Sequence, residues 1–120
     1  MAAMNAVLLA ALLAVESGNS THPHGSNDHG RAVGALQIHK AALADANEYM
    51  GSHYTHAQMT NRMIAIKVCS AYLKRYCPKG SLEQQARTWN GGPQGPKSPS
   101  TLPYWHRVKV EIQKLNQRNE

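Results

Sequence analysis

The sequence predicts a mainly α, small single-domain fold, spanning residues 1–120, with a buried N-terminal helix and at most a short strand element. Three observations carry this. Residues Ala6 to Val15 run without one polar side chain. A later segment, "HAQMTNRMIAIKVCSAYLKRYCPKG", places Met59, Met63, Ile66, Cys69 and Leu73 at helical spacing. No stretch shows the two-residue alternation of a strand for more than a few positions. A chain of 120 residues supports one modest core.

The apolar run is rich in Ala and Leu, strong helix formers, and a helix apolar on every side belongs inside a fold. Gly18 offers a C-terminal stop. A secretory leader is the competing reading, but it wants a positive start, and the first Lys or Arg is Arg31. The run is too short for a membrane span, so no stable membrane insertion is expected. Residues 19–31 have loop composition. "AVGALQI" suits a short strand or turn, and "HKAALADANEYMG" a helix ending at Gly51. The 56–80 segment reads as one helix that stops at Pro78 and Gly80. "SLEQQARTWNGG" opens with Ser81 and Gln84 in capping-box spacing and closes at Gly91 and Gly92. "PQGPKSPS" reads as a poorly ordered or extended loop. A last helix over 103–116 carries Val108, Ile112 and Leu115 on one face.

Thirteen Lys and Arg against seven Asp and Glu give a net charge of +6. This favours anionic partners or simply solubility. The cations are scattered and Phe is absent, so nucleic acid is not expected as a partner. Two cysteines are too few for a disulfide scaffold. On one helix Cys69 and Cys77 would lie about 12 Å apart, beyond bridging reach. A helix ending before Cys77 leaves a bridge open, and free, half-buried thiols are the expectation. His22, His24, His29 and Asp28 carry metal-ligand chemistry, and His53 and His56 form a looser pair, but neither spacing matches a metal motif. No metal and no cofactor are expected.

One acid stands apart. Glu16 closes the apolar run, where desolvation and the negative end of a helix both raise a carboxyl pKa. An acid protonated near neutral pH is equipped to give up its proton in catalysis. The competing reading is a carboxylate that merely caps the helix end in water.

Four stretches, "VESG", "GRAVGALQI", "RTWNGG" and "TLPYWHRV", taken in order, resemble the lysozyme-like domain of soluble lytic transglycosylases and goose-type lysozymes, over roughly Leu8 to Leu115. The resemblance implies a lysozyme-like fold and cleavage of peptidoglycan glycan strands. It makes Glu16 the general acid, with Ser17 supporting the site. Gln37 would hydrogen-bond the substrate, Asn90 would meet an N-acetyl group, Gly91 would keep its turn open, and Tyr104 would orient Glu16. Trp89 fills an aromatic position that serves the core or stacks on a sugar. Asp28 resembles a goose-type acid that positions water, while His39 stands where that pattern has a second Asp. Hydrolysis is the first reading. A lytic transglycosylase, which closes a 1,6-anhydro ring, and a basic wall-binding module without chemistry are the alternatives. The expected protein is a monomer acting on the bacterial cell wall, and without a convincing signal peptide it suits a phage lysin as well as a bacterial enzyme.

Overall fold

The computed structural model describes residues 4–17 and 32–118; of Ser17 only the backbone belongs to that set. Helix α1 spans Ala6–Ser17, and Asn5 starts it by accepting the Leu8 backbone N–H at 2.9 Å. Leu8, Ala11 and Leu12 are fully buried, whereas Ala6 and Ala14 are exposed. The helix therefore lies along the core rather than through it, and its exposed side is lined with Ala, whose burial gains least. Leu8 and Leu12 each contribute about 1.5–3 kcal/mol by burial. Among the described residues no helix is long and apolar enough to cross a membrane.

Strands β1 (Ala32–Val33) and β2 (Ile38–His39) form a minimal antiparallel hairpin, Ala32 opposite His39 and Val33 opposite Ile38. Gly34 takes φ +83° and packs against the Met59 carbonyl so closely that a Cβ would overlap it. The hairpin feeds α2 (Lys40–Met50), which ends at Gly51 in the left-handed conformation.

The expected single helix over 56–80 is divided. A 3-10 turn, His56–Thr60, is closed by a Thr55–Gln58 capping box, and Asn61 then starts α3 (Arg62–Tyr76) by accepting the Ile64 N–H. The break rotates the pattern. Met59 is buried on the 3-10 turn, but Met63 is 69% exposed, and Ala65, Val68, Cys69, Tyr72 and Leu73 form the true inner face. Helix α3 stops at Tyr76, so Cys77 lies past its end; both thiols are free, and Cys69 is fully rather than half buried.

Helix α4 (Leu82–Gly91) opens with the Ser81–Gln84 capping box that its spacing predicts. The Pro/Gly segment after it is neither extended nor loose. It makes two 3-10 turns, Gly95–Lys97 and Pro99–Thr101, the first packed so tightly that a Cβ on Gly95 would overlap the Arg87 carbonyl. Helix α5 (Leu102–Arg118) follows, with Tyr104 and Val108 buried and Ile112 and Leu115 half-buried. Helix α1 packs on α5, α2 on α3, and α4 on both α3 and α5, around one core cluster. This is the mainly α architecture expected, with the hairpin as its strand element.

Candidate active site

Four pieces of chain converge at the C-terminal end of α1. The helix delivers Glu16 in its last turn, the hairpin brings Ala32, Gln37 and His39, and α4 brings Trp89 and Asn90 from its last turn. Together with Ala42 of α2 they line an open cleft of about 240 Å³. Tyr104, in the first turn of α5, closes the inner side by donating its hydroxyl to Glu16 Oε2 at 2.8 Å.

Glu16 is half-buried, and burial pushes its carboxyl from 4.5 up to about 7, against the hydrogen bond from Tyr104, the nearby Trp89 indole and the attraction of Arg107, all of which favour the carboxylate. Desolvation wins because the acid's neighbours include uncharged groups and the fully buried Cys69, and the cation acting on it among the described residues, Arg107, is surface-exposed. Tyr104 is almost fully buried. Burial, with Glu16 beside it, drives its phenol well above the ordinary range, so it remains a donor at any working pH. Arg107, one turn along α5, lies 5.8 Å from the Tyr104 ring centroid. The Cys69 thiol is driven upward by burial first and by Glu16 second, and stays protonated.

Trp89 packs in the core and also borders the cleft. Its ring meets Tyr72 edge-on at 5.6 Å, and its indole acts on Glu16 in favour of the carboxylate. Gln37 adopts φ +50°, a left-handed conformation costly for a side-chain-bearing residue. Its backbone and side-chain N–H groups both donate to the Gly34 carbonyl, at 3.0 and 2.8 Å, which holds the turn.

The structure thus brings together Glu16, Gln37, Trp89, Asn90 and Tyr104 from four separated stretches. Gly91 takes another part: a Cβ there would stand 2.5 Å from Thr101 Cγ2, so it permits close packing of α4 on the following turn. Asp28 and the side chain of Ser17 lie outside the described residues, as do His22, His24 and His29. His56 is engaged with the Ile38 carbonyl at 2.7 Å, and among the described residues no cluster of three metal-ligating side chains occurs. Sequence reasoning missed the influence of Trp89 and Arg107 on Glu16, and it placed His39 at a site position without a role. The outward place of His39 had a signal: it alternates with the apolar Ile38.

No family model matches the chain. A lysozyme of Ostrea edulis is 35% identical over 89 residues, which cover 71% of this chain and 64% of that protein. A lysozyme of Magallana gigas is 51% identical over 43 residues, 32% of this chain and 31% of that one. The chain spans less than two thirds of the length of these curated relatives. Among solved structures, that of Meretrix lusoria lysozyme in complex with PliI of Aeromonas hydrophila superposes with a TM-score of 0.75 at 25% identity, covering 92% of this chain and 93% of that one. Tapes japonica lysozyme gives 0.72 at 26% identity over 87% of each chain. These relatives are bivalve lysozymes. They support the lysozyme-like part of the expected resemblance, and they are not members of its narrower soluble lytic transglycosylase and goose-type grouping.

Proposed function

We propose that this protein is a muramidase that hydrolyses the β-1,4 bond between N-acetylmuramic acid and N-acetylglucosamine in peptidoglycan, with Glu16 as the general acid. The observation that carries the reading is a half-buried carboxyl, pushed up to about 7 by burial, held beside a cleft by Tyr104. Below that pH the carboxyl holds the proton that a departing sugar oxygen needs. As the glycosidic C–O bond breaks, its electron pair leaves with the oxygen and takes the proton from Glu16. The sugar left behind becomes oxocarbenium-like, and water completes the hydrolysis. Asp28, in the segment joining α1 to β1, is our candidate for positioning that water. Gln37 and Asn90 contact the glycan from opposite sides, and Trp89 offers a ring face. The kinship with bivalve lysozymes supports a lysozyme's substrate, and the net charge of +6 favours encounter with an anionic wall.

The test is Glu16→Gln on purified cell walls. The variant is expected to fold and to lose turbidity-clearing activity by at least roughly a hundredfold. Clearing at the wild-type rate would remove Glu16 from the reaction. A wild-type protein that binds walls without clearing them would be a binding module. Product mass separates the remaining chemistry: hydrolysis adds a water, whereas a lytic transglycosylase leaves a 1,6-anhydro end lighter by one water. Asp28→Asn should slow hydrolysis, and full activity in that variant would end its assigned role.

A further inference from the structure

We infer that His39 is the side chain that identifies the muramyl sugar, by donating an imidazole N–H to the acyl oxygen of its lactyl group. The inference rests on the muramidase reading and deepens it.

Strand β2 is two residues long, and its alternation decides where each side chain goes. Ile38 points inward and is fully buried, so His39 points outward, exposed, onto the cleft that Glu16 occupies. The register with Ala32 fixes it there, since Ala32 is opposite and borders the same cleft. The other polar groups nearby are partly committed. Glu16 is bonded by Tyr104, and one amide N–H of Gln37 goes to the Gly34 carbonyl. The His39 imidazole has no hydrogen bond or ion pair among the described residues, although it caps α2 in sequence position.

A free imidazole donates at least one N–H in either protonation state. Its partner in the substrate should be an acceptor that distinguishes one sugar from the other. Muramic acid differs from glucosamine by the lactyl ether at C3, whose acyl group presents such an oxygen, a carboxylate in peptide-free glycan and an amide carbonyl where a stem peptide is attached. Among the described residues Glu16 is the one carboxyl lining the cleft, and it is neutral at the pH where it works, so an anionic lactyl group meets no repulsion. A site that hydrogen-bonds a substrate group discriminates against the analogue lacking it.

The experiment measures binding in the Glu16→Gln background, where no turnover intervenes. Two probes are used: peptide-free oligosaccharides of alternating N-acetylglucosamine and N-acetylmuramic acid, and N-acetylglucosamine oligosaccharides of equal length. His39→Ala is expected to reduce the ratio of their affinities at least tenfold in the muramyl direction, with an unchanged Tm. His39→Gln, which keeps an N–H donor, is expected to recover part of it. An unchanged ratio overturns the inference, and so does an equal loss for both probes, the result of a role at the reacting bond or in the turn. Failure of the Glu16→Gln protein to bind either probe sinks the muramidase reading and this inference with it. Muramyl binding with an unaltered ratio removes His39 alone.

Discussion

The hydroxyl of Tyr104 donates to Glu16 Oε2 at 2.8 Å, tying the last turn of α1 to the first turn of α5 across 88 positions of chain. This bond does two opposed things. It fixes the carboxyl's direction toward the cleft, and it favours the charged form that cannot donate a proton. Burial outweighs the second effect, which is why the acid still titrates near 7.

Removing the bond should separate the two effects. Tyr104→Phe keeps the buried ring and loses the donor, so Glu16 moves further up, by roughly half to one pH unit for a net bond of ordinary strength. Because the protonated acid is the active form, the alkaline limb of kcat/KM should move to higher pH. At pH 5, where Glu16 is protonated in both proteins, the rate should fall, since the carboxyl is no longer held. Trp89→Phe should displace the limb the same way. A limb that stays put or moves down in both variants contradicts this account of the site.

The same acid should weaken the fold. Its carboxyl is at about 7 in the folded protein against an ordinary 4.5, so between these values the folded state binds the extra proton. The stability linked to that proton is fully present below pH 4.5 and is lost as pH rises through 7. The difference corresponds to about 3 kcal/mol at most. Glu16→Gln should therefore raise Tm clearly at pH 8 and little at pH 4, and thermal melts at the two pH values check it. An equal change at both would mean that burial of the charge is not what destabilises wild type.

Much of this site was legible in the sequence, and the reasons differ by residue. Glu16 announced itself because one acid ended a ten-residue apolar run, and the helix boundary follows from local propensity alone. The Ser81–Gln84 box was legible for the same reason: capping is settled within four consecutive residues. The break at Asn61 was not, because a side chain that bonds a backbone N–H three residues on can start a helix inside an otherwise continuous pattern. The order of the Pro/Gly segment was hidden as well. It comes from Arg87, a residue outside the segment, and no composition rule reports such a contact. The influence of Trp89 on Glu16 likewise depends on how α4 lies against α1, a tertiary fact.

Two glycines with similar backbone angles permit a controlled comparison. Gly34 has φ +83° and Gly51 φ +68°, so alanine is strained at both. At Gly51 nothing lies within 4 Å of an added Cβ, and the expected loss is the left-handed penalty alone, about 1 kcal/mol. At Gly34 the Cβ would overlap the Met59 carbonyl, so the hairpin must part from the 3-10 turn beneath it. Gly34→Ala should therefore cost more than about 3 kcal/mol. It should also impair binding through Gln37 and His39, which the hairpin carries. Denaturant unfolding of the two variants gives the comparison, and equal losses would show that the Gly34 contact adjusts freely.

Arg87 uses all three guanidinium nitrogens, two of them to hold the segment between α4 and α5. Nε donates to Thr101 Oγ1 at 2.8 Å, one terminal nitrogen to the Ser98 carbonyl at 3.0 Å, and the other to Glu83 at 2.8 Å. The Thr101 hydroxyl, itself buried, reaches the Gly95 carbonyl at 2.7 Å, which closes the two 3-10 turns on each other. The pair with Glu83 is partly exposed and contributes little, so the bonds to Thr101 and Ser98 decide the outcome. Arg87→Ala should cost about 2 kcal/mol and leave buried Thr101 without its donor. Arg87→Lys should recover only part of this, because an ammonium cannot reproduce the planar fork. The readout that isolates the segment is limited trypsin digestion. Lys97 sits in its first turn, and cleavage after it should quicken at least roughly fivefold in Arg87→Ala, at a temperature where the global fold is intact. Cleavage at the wild-type rate, with unchanged Tm, would place the order of this segment in its own prolines rather than in Arg87.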